Sequence, residues 1–145
     1  MTRIASSRGR DLIESVEGLR MKAYQDGNGV WTLAYGHTAN VHPGDTCTQE
    51  QADAYLAGDL HQAEWAVNTF VKMPINQNQF DALCSFVYNI GSGNFSKSTM
   101  LKLLNEGKYE EAAQQFFVWV KVAGKFSQGL MNRRIKEETL FMEAV

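Results

Sequence analysis

Residues 17–38 read EGLRMKAYQDGNGVWTLAYGHT, and this stretch decides the fold class. Its centre, DGNG at residues 26–29, is a strong turn signal, because glycine and asparagine accept the positive φ angles that tight turns need. Residues 30–35 after the turn are rich in strand-forming side chains, and residues 23–25 before it supply a short partner strand. The segment therefore predicts a small β-hairpin.

Helical patterns flank this hairpin on both sides. Before it, apolar residues at helical spacing predict a helix over about residues 8–20, with Gly18 weakening its last turn. After it, Thr48 and Gln51 have the form of a capping box and predict a long helix to about Phe70. Further helices are predicted over about residues 76–90, 98–105, 109–122 and 129–142. One short antiparallel sheet followed by a helical remainder is typical of the α+β class.

The composition limits the class of protein. A chain of 145 residues with 44% hydrophobic and 21% charged residues fits an ordinary globular protein. The net charge of −2 gives no drive toward nucleic acid and counts against a helix-turn-helix binder. Basic residues do cluster near the C-terminus, but we interpret them as a solvated helix face with balancing acids: Arg133, Arg134, Lys136, Glu137 and Glu138.

Cysteines and apolar runs bear on the compartment. Cys47 and Cys84 show no metal-binding spacing, which favours two reduced thiols in a reducing cytoplasm. The first ten residues lack the apolar region of a signal peptide, and no run of about 18 apolar residues occurs, so we expect no stable membrane insertion. No metal cluster or nucleotide-binding loop appears, so we expect no metal and no cofactor.

Three residues near the hairpin suit the chemistry of glycoside hydrolysis. That reaction needs one carboxyl group that protonates the leaving oxygen and a second that acts on the other side of the sugar bond. Glu17 at a helix end and Asp26 on the turn meet this demand, and the Thr32 hydroxyl is suited to hold a water. Position alone leaves simpler explanations open, since helix acids are usually solvated and Asp before Gly usually forms a turn.

A family resemblance gives these residues a role. The first block, residues 17–38, resembles the phage-type lysozymes (glycoside hydrolase family 24), whose catalytic pattern is Glu, eight residues, Asp, five residues, Thr, with the same gaps as here. A second block, NQNQFDALCSFVYNIG at residues 76–91, resembles the central helix of that family. A third block resembles its C-terminal part: Trp119, residues 123–125, residues 129–130, residues 133–134 and Glu137.

The resemblance implies a role for each matching position. Glu17 is the expected general acid, Asp26 the group that stabilises the developing oxocarbenium charge and helps position water, and Thr32 a further water ligand. His37 is similar to a structural histidine of the family, and the resemblance pairs it with Asp59. Five positions are expected to bind substrate: Thr38, Tyr88, Asn89, Ser98 and Gln115.

The resemblance also implies an architecture and a biological setting. We expect one lysozyme domain over residues 1–145, with lobes at about 1–47 and 72–145, helix 48–71 between them and a cleft between the lobes. The expected function is that of an endolysin, which hydrolyses the β-1,4 bond between N-acetylmuramic acid and N-acetylglucosamine and so degrades the host wall at lysis. Its partners are peptidoglycan glycan strands. A monomer is expected to wait in the host cytoplasm until a holin-like pore permeabilises the membrane, and then to reach the periplasm and cell wall.

Two alternatives of other kinds remain at this stage. A lytic transglycosylase cuts the same bond but needs only the Glu, so Asp26 and Thr32 argue against it. A non-catalytic wall-binding or chaperone-like module that kept the fold is favoured only by Ala34, where the family usually has Gly. A positive φ there costs alanine about 1 kcal/mol, and otherwise its methyl group narrows the substrate cleft. Among the tryptophans, Trp65 and Trp119 are predicted to pack in the core, and Trp31 stays undecided.

Overall fold

The computed structural model describes residues 2–144 and has the α+β composition that the sequence predicts. A two-stranded antiparallel sheet lies near the N-terminus, and seven α-helices make up most of the described chain. The elements are α1 (Ser7–Glu17), β1 (Arg20–Gln25), β2 (Trp31–Ala34), α2 (Gln49–Phe70), α3 (Gln77–Ile90), α4 (Ser92–Ser96), α5 (Thr99–Asn105), α6 (Tyr109–Gln114), a 3₁₀ turn (Gln115–Val118), β3 (Lys121–Val122), β4 (Lys125–Phe126) and α7 (Gln128–Met142).

Contacts within the chain divide it into two compact units. The sheet unit is Ile13–His61, and the helical unit is Met1–Leu12 together with Gln62–Val145. The sequence places the first twelve residues in the N-terminal lobe, whereas their contacts group them with the helical unit. The physical reason is hydrogen bonding to the helical unit: the Ala5 N–H donates to Glu64 at 2.7 Å in a buried bond, and the Ser6 N–H donates to Asp81 at 2.9 Å in a partly buried one.

The sheet unit contains the predicted hairpin. Strands β1 and β2 pair antiparallel, with Tyr24 opposite Thr32 and Gln25 opposite Trp31. The segment that follows extends the pairing, because Lys22 bridges to Thr46. The predicted extension of α1 to Arg20 is wrong. The helix ends at Glu17, where Gly18 takes a φ of +74°, and Arg20 already begins β1.

The start signals of the two longest central helices are confirmed. At α2 the Gln51 N–H donates to the Thr48 hydroxyl at 3.1 Å, and the Thr48 N–H donates to the Gln51 side chain at 2.9 Å. At α3 Asn76 and Gln79 form the same reciprocal pair, with both bonds at 2.8 Å. Each capping box satisfies two backbone donors that a helix start otherwise leaves without a partner.

The predicted helix over residues 109–122 is wrong in its second half. Helix α6 ends at Gln114, a 3₁₀ turn follows, and the chain then forms the two-residue strands β3 and β4. The turn between them contains Ala123 at φ +50° and Gly124 at φ +80°. Two successive positive φ angles are typical of a type I′ hairpin turn and end a helical pattern.

The core of the helical unit is aromatic. Phe116 packs edge-to-face on Phe86 at 5.1 Å between ring centroids and on Phe141 at 5.7 Å, and Trp119 contacts Phe86 at 6.0 Å. Offset and edge-on pairs of this kind add to the free energy gained by burying the rings. The prediction for Trp65 is wrong, because this side chain is 53% exposed.

The interpretation of the C-terminal basic cluster as a solvated face is wrong for three of its five residues, whereas Lys136 is exposed and Glu138 half-buried. Arg133, Arg134 and Glu137 are 6%, 1% and 0% exposed on α7. The Glu137 carboxylate accepts from Arg133 Nε at 3.1 Å and from Arg134 Nη1 at 2.8 Å. Charges at positions i, i+3 and i+4 share one helix face, and here that face points into the core, where charges persist only when they are paired.

Cysteines and helix lengths complete the description. Cys47 is half-buried and Cys84 fully buried, and both are free thiols. Burial raises the pKa of the Cys84 thiol, and the nearby charges of Glu64 and Asp81 raise it further. Within residues 2–144, no helix is both long enough and apolar enough to span a bilayer.

Candidate active site

Glu17 lies at the junction of helix and hairpin. It is the last residue of α1 and is half-buried. The Gly18 N–H still donates to the Glu14 carbonyl at 3.0 Å, but the positive φ of Gly18 turns the chain away from the helix. Two regular elements therefore fix the backbone on either side of Glu17. A partly buried carboxyl on a fixed backbone is what a general acid requires.

Asp26 is held firmly at the hairpin tip. Its Oδ1 accepts the backbone N–H groups of Asn28 at 2.8 Å and Val30 at 2.9 Å. The Asp26 N–H in turn donates to the Val30 carbonyl at 2.9 Å. Among the described residues no group donates to its second oxygen, Oδ2. One carboxylate oxygen thus orients the side chain, and the other is available to a substrate or water.

Thr32 faces the same side of the hairpin as Tyr24. The two residues are opposite in register, so their side chains share one face of the hairpin, and Asp26 directly follows β1 at the hairpin tip. Thr32 is 4% exposed, and its hydroxyl donates to the Val30 carbonyl at 2.9 Å. Because that bond uses the hydroxyl proton, the oxygen lone pairs are left to accept from a water.

The turn after β2 is closed by a reciprocal backbone pair. The Leu33 N–H donates to the His37 carbonyl at 2.9 Å, and the His37 N–H donates back at 2.8 Å. Within this turn Ala34 has a φ of +58° and Gly36 a φ of +83°. Ala34 is thus a non-glycine residue in the left-handed region, which costs it on the order of 1 kcal/mol.

His37 is fixed on two sides by α2. Its Nδ1 lies 2.8 Å from Asp59 Oδ2, which is the pair implied by the resemblance. The Tyr55 ring stacks on the imidazole at 4.1 Å between centroids and 7° between planes. Tyr55 and Asp59 are four residues apart and so lie on one helix face. The sequence did not single out Tyr55, although its i, i+4 spacing to Asp59 was visible there.

The five expected substrate-binding residues lie in different settings. Thr38 is exposed in the sheet unit, whereas the other four belong to the helical unit. Tyr88 and Asn89 are adjacent near the end of α3, the first half-buried and the second exposed. Gln115 is half-buried at the start of the 3₁₀ turn. Their contacts with substrate stay predictions.

Ser98 has a structural use in this fold. Its hydroxyl donates to the Phe95 carbonyl at 2.7 Å and accepts the Leu101 N–H at 3.1 Å, so it caps α5. A hydroxyl with both functions engaged has one lone pair left for substrate.

Metal binding has no visible site: within residues 2–144, no three His, Cys, Asp or Glu side chains group closely enough to hold an ion.

Comparison with known proteins decides the family. Residues 14–137 match the family model described as phage lysozyme. The chain belongs to the phage lysozyme family. It is 50% identical to an endolysin of Acyrthosiphon pisum secondary endosymbiont phage 1, over 96% of this chain and 98% of that protein. It is 42% identical to the endolysin of Salmonella phage P22, over 94% and 97% of the two chains.

A solved structure of a muramidase domain has a closely similar fold. The muramidase domain of SpmX from Asticaccaulis excentricus has a TM-score of 0.92 and 42% identity, covering 99% of this chain and 100% of that one. The endolysin of Bacillus phage B103 is longer, and the match covers 53% of its length. This lysozyme is therefore a glycosidase, and it is a phage lysis enzyme that degrades peptidoglycan.

Proposed function

We propose that Glu17, Asp26 and Thr32 carry out the hydrolysis of the β-1,4 bond between N-acetylmuramic acid and N-acetylglucosamine. The observation that carries the assignment is the fixed Asp26 carboxylate, which two backbone N–H groups orient at the hairpin tip. Thr32 belongs to β2 of the same hairpin, opposite Tyr24, and Glu17 ends the helix that leads into that hairpin.

The three groups have distinct tasks in the proposed reaction. Glu17 donates a proton to the glycosidic oxygen as the bond to the anomeric carbon breaks. The negative charge of Asp26 stabilises the oxocarbenium character that develops on the sugar, and its Oδ2 helps position water. Thr32 accepts a hydrogen bond from that water through its lone pairs. The water oxygen forms the new bond to the anomeric carbon, and the proton that the water loses is the one that restores the acid form of Glu17 for the next cycle. Charge stabilisation by a preorganised group needs no rearrangement during the reaction, which is what the Asp26 hydrogen bonds provide.

Glu17→Gln tests the acid. Glutamine keeps the size of the side chain but has no proton of suitable acidity, so we expect release of reducing ends from purified peptidoglycan to fall by about 10³-fold. Glu50→Gln, at an exposed position on α2, is the matched control and should keep full activity. Undiminished cleavage by Glu17→Gln would show that another group is the acid.

Asp26→Asn separates the charge from the turn. The asparagine oxygen still accepts the two backbone N–H bonds, so the hairpin is preserved while the negative charge is lost. We expect activity to fall about 10²-fold with little change in unfolding free energy. Product analysis settles the transglycosylase alternative, because 1,6-anhydro ends in place of reducing ends would exclude hydrolysis.

We further propose that a monomer of this lysozyme waits in the host cytoplasm for a holin-like pore before it reaches the periplasm and wall. Relatives named endolysins support this setting. A culture that expresses the chain alone should keep its turbidity and lyse only when a membrane-permeabilising agent is added. Lysis without such an agent would contradict the proposal.

Light scattering should give the monomer mass of 16.3 kDa, and a larger mass would contradict a monomer.

A further inference from the structure

The guanidinium of Arg134 is immobilised on several sides. The residue is 1% exposed. Its Nε donates to the Trp119 carbonyl at 2.8 Å, and its Nη1 donates to Glu137 Oε1 at 2.8 Å. Its central carbon lies 5.0 Å from the centroid of the Phe86 ring, in cation–π contact. A planar group held along two edges and across one face has a single orientation available.

This fixed group reaches one exposed amide. Arg134 Nη2 donates to Asn89 Oδ1. A guanidinium has donors only, so the oxygen of the Asn89 amide must face it, whichever way the amide is first assigned. The nitrogen of the Asn89 amide therefore points away from Arg134. Within the described part of the chain this nitrogen has no acceptor, and Asn89 is an exposed residue.

We propose that Arg134 is a positioning residue that makes Asn89 a hydrogen-bond donor to the wall glycan. The proposal rests on the proposed function and on the prediction, from the family resemblance, that Asn89 contacts substrate. The recognised chemistry is an acceptor oxygen, and peptidoglycan offers two sources of it: the acetamido carbonyl of the sugars and the carbonyl or carboxylate groups of the peptide stem. A free asparagine presents either its donor or its acceptor; this one presents only the donor.

The arrangement also explains why two arginines surround one glutamate in the core. Arg133 donates to Glu137 and to the Ser85 carbonyl at 2.9 Å, so it completes the buried network. Arg134 shares Glu137 but directs its remaining edge to Asn89, at the surface. Orientation fixed in advance of binding saves the loss of side-chain freedom that an unheld asparagine incurs when it binds.

Asn89→Asp reverses the exposed group while keeping the inner bond. The carboxylate still accepts from Arg134, but it presents an acceptor where the wild type presents a donor. We expect KM on peptidoglycan to rise about tenfold with kcat changed less than twofold, since a hydrogen bond to bound substrate is replaced by repulsion. The matched control is Asn132→Asp, an exposed residue whose oxygen accepts from Gln128 at 2.9 Å, and its KM should stay within twofold.

Two modified substrates identify the acceptor. If it is the acetamido carbonyl, the KM difference between wild type and Asn89→Asp should disappear on de-N-acetylated glycan. If it belongs to the stem, the difference should disappear on glycan freed of its peptides by an amidase. An unchanged KM for Asn89→Asp on intact peptidoglycan overturns the proposal. Failure of the proposed function appears separately, as cleavage that survives Glu17→Gln.

The positioning role of Arg134 needs its own measurement. In an Arg134→Lys background, where the side chain lacks the second donor edge, adding Asn89→Asp should change KM less than twofold. A full tenfold change in both backgrounds would overturn the role of Arg134. Because Arg134→Lys disturbs a buried ion pair and can prevent folding, ¹⁵N relaxation of the Asn89 side-chain amide in the wild type gives an independent result. Restricted motion is expected, and the mobility of a free surface amide would overturn the role.

Discussion

The sheet unit and the helical unit reach order by different means. At the turns of the sheet unit, hydrogen bonds between residues close in sequence set the geometry, as Asp26 does at the hairpin tip and Leu33 with His37 at the following turn. In the helical unit, side-chain bonds also join residues 45 and 59 positions apart: Arg134 bonds to Asn89, and Glu64 bonds to the Ala5 N–H, whereas the His37–Asp59 pair of the sheet unit spans 22 positions.

The two units also treat charge differently. Asp26 and Glu17 are half-buried, so water or a sugar can reach a carboxyl group there. Glu137 and Asp81 are 0% exposed and are bonded to arginine or to hydroxyl and backbone donors. Buried charges persist only when they are fully partnered, which suits them to hold a structure. The half-buried carboxyl groups of the sheet unit, Glu17 and Asp26, are instead suited to acid catalysis and charge stabilisation.

The largest expected contrast between the units is in thiol reactivity. Cys47 belongs to the sheet unit and is half-buried, whereas Cys84 is 0% exposed in the helical unit. We expect a disulfide reagent to label Cys47 in the native protein about 10³-fold faster than Cys84, because Cys84 must wait for the helical unit to open. Peptide mass analysis of timed samples measures both rates, and in urea the two should converge.

The same thiol predicts a pH dependence. Burial raises the pKa of Cys84, so the folded protein keeps this proton at pH values where the unfolded thiol has lost it. The unfolded state then binds fewer protons, and the free energy of unfolding falls as pH rises above the ordinary thiol pKa of about 8.5. Cys84→Ala should remove this component of the alkaline loss. Native labelling of both cysteines at one rate would contradict the contrast between the units.

The next effect tests the buried charges of the helical unit. Glu137→Gln leaves Arg133 and Arg134 buried without their shared carboxylate, and we expect it to lower the free energy of unfolding by about 3–5 kcal/mol in urea titrations. Glu110→Gln, at an exposed position of α6, should change it by less than about 0.5 kcal/mol. A loss below about 1 kcal/mol for Glu137→Gln would mean that the network adds little to stability.

Elements whose sequence signals lie within a few residues of one another could be predicted from the sequence. The boxes at Thr48 and Asn76 predicted the starts of α2 and α3, because each motif contains both partners of its hydrogen bonds. The hairpin around residues 26–29 was predicted for the same reason. The helical pattern predicts an end of α1 at Arg20, three residues too late, because Gly18 signals a stop only if its φ is positive. The apolar spacing of residues 115–122 predicts a helix, but in the structure this segment leads into a hairpin turn at Ala123–Gly124.

The site divides in the same way. The spacing from Glu17 to Asp26 and Thr32 could be read from the chain, and a family resemblance gave it meaning. The link from Arg134 to Asn89 joins residues 45 positions apart and depends on the packing of α3 against α7, so no short pattern contains it. Charge alone predicts a solvated face for the basic cluster, but a glutamate three residues after Arg134 and four after Arg133 is equally compatible with a buried ion pair.

The smallest effect compares two alanines with positive φ, one in each unit. Ala123, at φ +50°, is exposed in the β3–β4 turn, and Ala34, at φ +58°, is 1% exposed at the end of β2. Glycine removes a backbone cost of about 1–2 kcal/mol from the folded state at either site. Its greater freedom in the unfolded chain lowers the free energy of unfolding by about 0.5–1 kcal/mol in return. Ala123→Gly should therefore raise the free energy of unfolding by about 0.5 kcal/mol.

At Ala34 the same change also removes a buried methyl group, whose burial contributes about 0.8 kcal/mol. The relief and the loss then nearly cancel, so Ala34→Gly should leave stability within about 0.5 kcal/mol of wild type and below that of Ala123→Gly. Paired urea titrations with equal m-values measure the difference. If Ala34→Gly proves the more stable variant, the buried Ala34 methyl group strains the turn instead of stabilising it. The turn at Ala34 in the sheet unit would then contain a steric strain that the exposed turn at Ala123 in the helical unit lacks.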